Sequence, residues 1–254
     1  MPAPIVMVHG AFCGGWAFET FAAPFEAAGH LCFTPDLPGH GPGGGHDAVR
    51  GQSVTDYARS VAQVIESCSE PPVVIGHSLG GLVAQMAAAR APVQGLILLA
   101  PSASWGDSAG SMEEAAVSLG LMSMVMPWMQ TLQADKSLFA AYGMDRLDRD
   151  ARAAVFSQMV PESGRALWET FNWWLDPFMT TRVQASAIAA PALVIAGDRD
   201  PIHGPVSVQT TARRLTAEYK LMPGMSHWLI GEPGWESVAG LCVDWIASSR
   251  RQAA

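Results

Sequence analysis

The chain has 254 residues, of which 49% are apolar and 15% charged, and a formal net charge of −8. That length and composition suit one large domain, or one domain carrying an insertion, and exclude a disordered chain. The acidic balance, with no Lys/Arg stripe, excludes a general nucleic-acid binder and disfavours an anionic membrane surface.

From Met1-Pro2-Ala3-Pro4 the chain passes straight into Ile5–Val8, a buried strand ended by His9-Gly10, with no basic start of a signal peptide. Residues 16–28 read as a helix stopped by Gly29, and 31–34 as a second strand ended by Pro35-Asp36-Leu37-Pro38-Gly39. Gly43-Gly44-Gly45 reads as a flexible loop, after which Ser53 caps a helix running to about Cys68. Pro71-Pro72 breaks that helix before a third strand at 73–75. A helix over 79–90 and a fourth strand over 96–99 follow. Strand–helix alternation with continuous apolar strands predicts a parallel sheet covered on both faces, with ligands beyond the C-terminal strand ends.

The pattern then changes. Residues 104–187 contain no convincing strand and read as helices rich in Met and Trp, an insertion dividing the core into 1–103 and 188–254. The apolar stretch 115–129 falls short of the ~20 residues of a membrane helix and contains Pro127. Alternation resumes with a strand at 192–196, ended by Gly197-Asp198-Arg199-Asp200, and a helix over 206–215. A last strand, Glu218–Met222, and a helix over 235–249 complete the chain. Cys13, Cys32, Cys68 and Cys242 are scattered and read as free thiols of a reduced compartment, the cytoplasm.

Gly76-His77-Ser78-Leu79-Gly80 is a G-x-S-x-G motif between a strand and a helix, the context it requires. The tight turn lifts the Ser hydroxyl above the sheet at a helix N-terminus, where developing negative charge is favoured. No Walker, G-x-G-x-x-G or H-E-x-x-H pattern is present, so neither metal nor organic cofactor is expected.

Five segments carry a resemblance to the α/β-hydrolase superfamily over nearly the whole chain. They are His9-Gly10-Ala11-Phe12, Asp36-Leu37-Pro38-Gly39-His40-Gly41, Gly76-His77-Ser78-Leu79-Gly80-Gly81, Gly197-Asp198-Arg199-Asp200 and Ser226-His227-Trp228. The chain is most similar to the small esterases and hydroxynitrile-lyase-like members, whose lack of an N-terminal hairpin it shares, so the expected sheet has about six strands. The resemblance implies Ser78 as nucleophile, His227 as base and Asp200 as the acid, in the chain order of this fold. Asp198 is left to a loop hydrogen bond. The implied oxyanion donors are the N–H groups of Ala11, with Phe12 as fallback, and of Leu79.

His9 and His77 read as structural rings beside the active-site turn, His40 as a turn residue, and His30, His46 and His203 as surface or loop residues. Phe12, Trp128 and Trp228 are the candidate substrate-binding residues. The inserted segment reads as a lid whose Met and Trp side chains suit a hydrophobic or aromatic substrate. The implied function is hydrolysis of a carboxylic ester, thioester or lactone. The alternatives are C–C hydrolysis, perhydrolysis, or a slow-turnover receptor of the same fold. Hydroxynitrile lyases of this type carry a Lys after the base, where this chain has Trp228.

Overall fold

The computed structural model describes residues 2–42, 44–107 and 111–253. Gly43 of the expected glycine loop lies outside them. The chain opens with β1 (Ile5–Val8), a 3-10 turn at Gly15–Phe18 and α1 (Glu19–Ala27). Then come β2 (Cys32–Phe33), α2 (His46–Val49), α3 (Val54–Ser67), β3 (Val73–His77), α4 (Leu79–Ala88) and β4 (Gly95–Leu99). Between β4 and the next sheet strand lie α5 (Met112–Met122), β5 (Thr131–Leu132), α6 (Lys136–Leu138), a π-helical turn at Phe139–Gly143, α7 (Arg149–Gln158), β6 (Glu162–Ser163) and α8 (Gly164–Phe171). The chain ends with β7 (Ala192–Gly197), α9 (Pro205–Arg214), β8 (Glu218–Met222) and α10 (Trp235–Ala253).

Six parallel strands form one sheet in the order β2-β1-β3-β4-β7-β8. The central strands β1, β3, β4 and β7 are buried throughout. Their two-residue period feeds two cores. Val6, Val8, Val74, Leu96, Leu98 and Val194 pack against Tyr57 of α3, Leu82 of α4 and Val208 of α9. Ile5, Met7, Ile75, Ile97, Leu99 and Ile195 pack on the other face against Phe21 and Phe25 of α1 and Val238, Cys242 and Trp245 of α10. The edge strand β8 carries Glu218 and Lys220, paired at 2.9 Å, so charge covers its free side.

The segment between β4 and β7 departs from expectation in one respect. Thr131–Leu132 and Glu162–Ser163 pair as an antiparallel ladder, Thr131 opposite Ser163 and Leu132 opposite Glu162. Two-residue strands are too short to show alternation. From this segment, Leu121 of α5 and Leu167 of α8 pack with Phe12 in a third apolar cluster. Among the described residues no helix is long and apolar enough to cross a membrane.

Candidate active site

Ser78 sits between β3 and α4 with φ 54° and ψ −124°, a conformation costly for a residue with a Cβ. Hydrogen bonds on both sides hold it there. Its N–H donates to Leu99 O (3.0 Å), and its carbonyl accepts from Gly81 N (2.8 Å) and Ser102 N (3.0 Å). The flanking glycines permit the close approach: a Cβ on Gly76 would stand 2.4 Å from the Gly80 carbonyl oxygen, and one on Gly80 2.2 Å from that of Val8.

His227 follows β8 and reaches over the elbow. Its Nε2 lies 3.1 Å from Ser78 Oγ, and its Nδ1–H donates to Asp200 Oδ2 at 2.9 Å. Asp200 is 4% exposed. Its other oxygen accepts Ile202 N–H (2.8 Å) and His203 N–H (3.0 Å), which fixes the carboxylate plane. Burial works against ionisation of Asp200, but the charge and hydrogen bond of His227, aided by His203, hold its carboxyl below the usual range. The loop bearing His227 is tied from behind by Ser226, whose N–H donates to Glu232 Oε1 (2.6 Å) and whose hydroxyl donates to Asp145 (2.6 Å). Burial pushes the Glu232 carboxyl up to about 7. Asp198 points elsewhere and accepts Gly224 N–H at 2.7 Å.

Behind the site, His77 Nε2–H donates to His227 O at 2.9 Å. Burial, then the neighbouring His227, lower the pKa of His77 to about 3, so it stays a neutral spacer. His9 is likewise neutral, lowered to about 4 by burial and His40; its Nδ1–H donates to Gly10 O (2.9 Å) and its Nε2 accepts Leu37 N–H (3.0 Å). It thereby joins the loops after β1 and β2.

Gly10 brings the first of these loops against the nucleophile: a Cβ there would stand 3.1 Å from Ser78 Cβ. Phe12, at φ 63°, donates its N–H to Glu162 Oε2 at 3.3 Å. The N–H groups of Ala11 and Leu79 have no acceptor among the described residues. The Phe12 N–H is thus engaged, whereas those of Ala11 and Leu79 are not, among the described residues.

Of the three candidate substrate-binding side chains, the structure brings only Phe12 beside the site. Its ring meets Phe139 edge-on at 5.5 Å. Trp128 packs on Trp168 and lines an outer cavity of about 530 Å³ with Arg50, Arg165 and Phe178, away from Ser78 and His227. Trp228 is 5% exposed, packed in the core and edge-on to His77 at 5.4 Å. Its indole faces inward because the residue after His227 turns back toward the sheet.

Two histidines lie in the turn and the loop expected of them but are more buried and engaged than those positions suggest. His203 is 1% exposed rather than a surface residue, and its ring lies 5.3 Å from that of His227. His40 belongs to a turn, but its Nε2–H also donates to buried Glu162 at 3.0 Å. Glu162 further accepts Tyr57 O–H (2.6 Å) and Ser163 N–H (2.7 Å). Burial disfavours its charge, yet His40 and these donors hold its carboxyl below the ordinary range, and Glu162 in turn raises His40 against the effect of burial. His203 had a readable signal: in Asp200-Pro201-Ile202-His203 an Asp accepting N–H bonds two and three residues on folds the third residue back beside the carboxylate.

A family model described as the alpha/beta hydrolase family matches residues 5–239. The pyrethroid hydrolase of Sphingobium wenxiniae is 37% identical over 98 residues, 37% of this chain and 34% of that protein, so the match spans about a third of its length. The monoacylglycerol lipase of Mycolicibacterium smegmatis is 24% identical over 261 residues, 96% of this chain and 88% of the relative. Among solved structures, tomato methylketone synthase I complexed with 2-tridecanone superposes with a TM-score of 0.78 at 15% identity, over 98% of this chain and 99% of that one.

Proposed function

The chain belongs to the alpha/beta hydrolase family, and from that premise we propose that it hydrolyses carboxylic esters through a Ser78–His227–Asp200 triad. The hydrogen-bonded line of 3.1 Å from Ser78 Oγ to His227 Nε2 and 2.9 Å from His227 Nδ1 to Asp200 Oδ2 carries the reading. Ser78 Oγ attacks the ester carbonyl as its proton passes to His227 Nε2. The carbonyl oxygen, now an anion, takes the N–H groups of Ala11 and Leu79. His227 returns the proton to the leaving alkoxide, and the acyl-enzyme remains. Water then gives a proton to His227 and attacks the acyl carbon; the bond to Ser78 Oγ breaks as His227 returns that proton to Oγ, and the acid leaves. Asp200 stays ionised and stabilises the imidazolium.

The segment over residues 104–187 acts as a cap. Phe12, Leu121 and Leu167, packed together beside the oxyanion loop, favour an ester with a hydrophobic acyl or alcohol part. Cyanohydrin cleavage is disfavoured, since Trp228 supplies no cation and its indole is turned into the core.

Initial rates on p-nitrophenyl esters from acetate to long chains, with Ser78→Ala alongside, test the proposal. Turnover should vanish in Ser78→Ala and nearly vanish in His227→Ala. Asp200→Asn should lose about 10⁴-fold in kcat, as in other Ser-His-Asp centres. Asp198→Asn, outside the hydrogen-bonded line, should keep most of its kcat; the reverse ranking would overturn the acid assignment. A folded wild type inert on the whole panel would overturn ester hydrolysis.

A further inference from the structure

The Ser-to-carboxylate line described above has a second line grafted onto it. His203 Nδ1–H donates to Glu114 Oε1 of α5 at 2.5 Å, and its Nε2 lies 2.9 Å from Ser102 Oγ. One face of its ring lies parallel to Phe171 of α8, centroids 6.5 Å apart, and its edge meets the His227 ring at 5.3 Å. Ser102–His203–Glu114 is thus a Ser–His–carboxylate chain that touches the first at every member. It reaches Asp200 through the His203 N–H at 3.0 Å, His227 through the ring contact, and Ser78 through the Ser102 N–H on its carbonyl at 3.0 Å. Ser102 is no second nucleophile, because it is only 1% exposed.

We propose that His203 is a positioning residue of the catalytic centre and that Glu114 seats it, so that Asp200 and His227 are in register with Ser78 only while the cap helix α5 is docked. This rests on the serine-esterase reading above. Two of the three groups that hold the His203 ring, Glu114 and Phe171, come from the inserted segment, while its backbone belongs to the loop of Asp200. Undocking α5 therefore removes the hydrogen-bond acceptor that orients the ring beside His227.

The charges around His203 make this measurable. Facing it are Glu114 from α5, Asp200 on its own loop, His227 from the loop after β8, and His77 behind His227 at the elbow. Asp107 lines a cavity together with Glu114 and His203 but is engaged by Arg214 Nε at 2.9 and 3.0 Å. Burial alone would depress His203; the hydrogen bond and charge of Glu114, then Asp200, more than offset it and raise its pKa. Removing the Glu114 charge takes away the main contributions that raise His203.

The test compares wild type, Glu114→Gln and His203→Gln by two readouts. The first is NMR titration of the imidazole nitrogens, which needs no turnover. The second is kcat and KM against pH with p-nitrophenyl acetate, per active site counted with a fluorophosphonate. In Glu114→Gln the His203 titration should fall. The kcat should drop several-fold while KM stays within about twofold, the signature of a misaligned centre. An unmoved His203 titration, or a kcat equal to that of the wild type, would overturn the proposal and leave His203 a packing residue. If His203→Gln does not fold, Glu114→Gln alone decides. Failure of the wild type to hydrolyse any ester would sink the esterase reading, while the nitrogen titrations would still decide whether Glu114 seats His203.

Discussion

Glu162 has no exposed surface, and four donors converge on it: His40, Tyr57, Ser163 N–H and Phe12 N–H. A buried charge of this kind is tolerated only when paired and hydrogen-bonded, and removing one partner is far costlier than the net worth of the pair. Glu162→Gln should destabilise the protein by about 3 kcal/mol in urea unfolding. The loss should depend on pH. Glu162 is held below its ordinary 4.5, so its contribution is full above that value and is lost as pH falls through its folded pKa. His40 is raised above its ordinary 6.5, so its contribution is full below that value and is lost as pH rises through its folded pKa. The wild-type advantage over Glu162→Gln should therefore be largest between 4.5 and 6.5 and shrink on either side. An advantage independent of pH would remove the ion pair from the explanation. None of this was legible in the sequence, because Glu162 and His40 lie 122 positions apart and one carboxylate on a two-residue strand has no local pattern. The same holds for the contact between His203 and Glu114, 89 positions apart. Ser78, Asp200 and His227 stood out as candidates because each follows a strand, in a short segment rich in glycine and turn residues.

The helix α3 begins with a reciprocal cap: Ser53 Oγ accepts Thr55 N–H at 3.1 Å, and Ser53 N–H donates to Asp56 at 3.0 Å. Onto this cap docks Glu169 of α8, which accepts both Ser53 O–H (2.8 Å) and Val54 N–H (2.9 Å), placing a carboxylate on the positive end of the helix. Ser53→Ala loses the cap and one bond to a charged group, so it should cost about 2 kcal/mol, twice an ordinary cap. Thermal or urea unfolding checks this; a loss near 1 kcal/mol would mean that Glu169 rebonds elsewhere. The Ser53 start was readable from residue type, as were the sheet strands, whose apolar runs end at Gly or Pro. Elements set by tertiary contact were not. The ladder β5–β6 is too short to alternate, and α2 lies behind a run of glycines. The helix expected over 16–28 is split between a 3-10 turn and α1, since Gly15 is pressed against Thr34, where a Cβ would stand 2.0 Å from the carbonyl oxygen. Nor does a Met- and Trp-rich sequence distinguish pocket from surface: Met112 is 86% exposed, whereas Met144 is fully buried.

For the molecule as a whole, a net charge of −8 and a pI near 5.3 set solubility apart from stability. Light scattering should show association strongest near pH 5.3, inside the window where the Glu162–His40 pair contributes most, because self-repulsion vanishes there while the fold is intact. Association that tracked unfolding instead would contradict this. The order of the sheet has a further consequence, for how the molecule is made. Strands β1 to β4 all lie in the first hundred or so residues, and the far side of β4 is completed only by β7. A ribosome must add about ninety residues after Leu99 before Ala192 emerges, roughly 5–20 s at ordinary elongation rates. For that interval the nascent chain presents Leu96–Leu99 as a bare, wholly apolar edge, the kind that captures other strands. The time taken to synthesise the inserted segment is therefore the time for which β4 lacks its β7 neighbour.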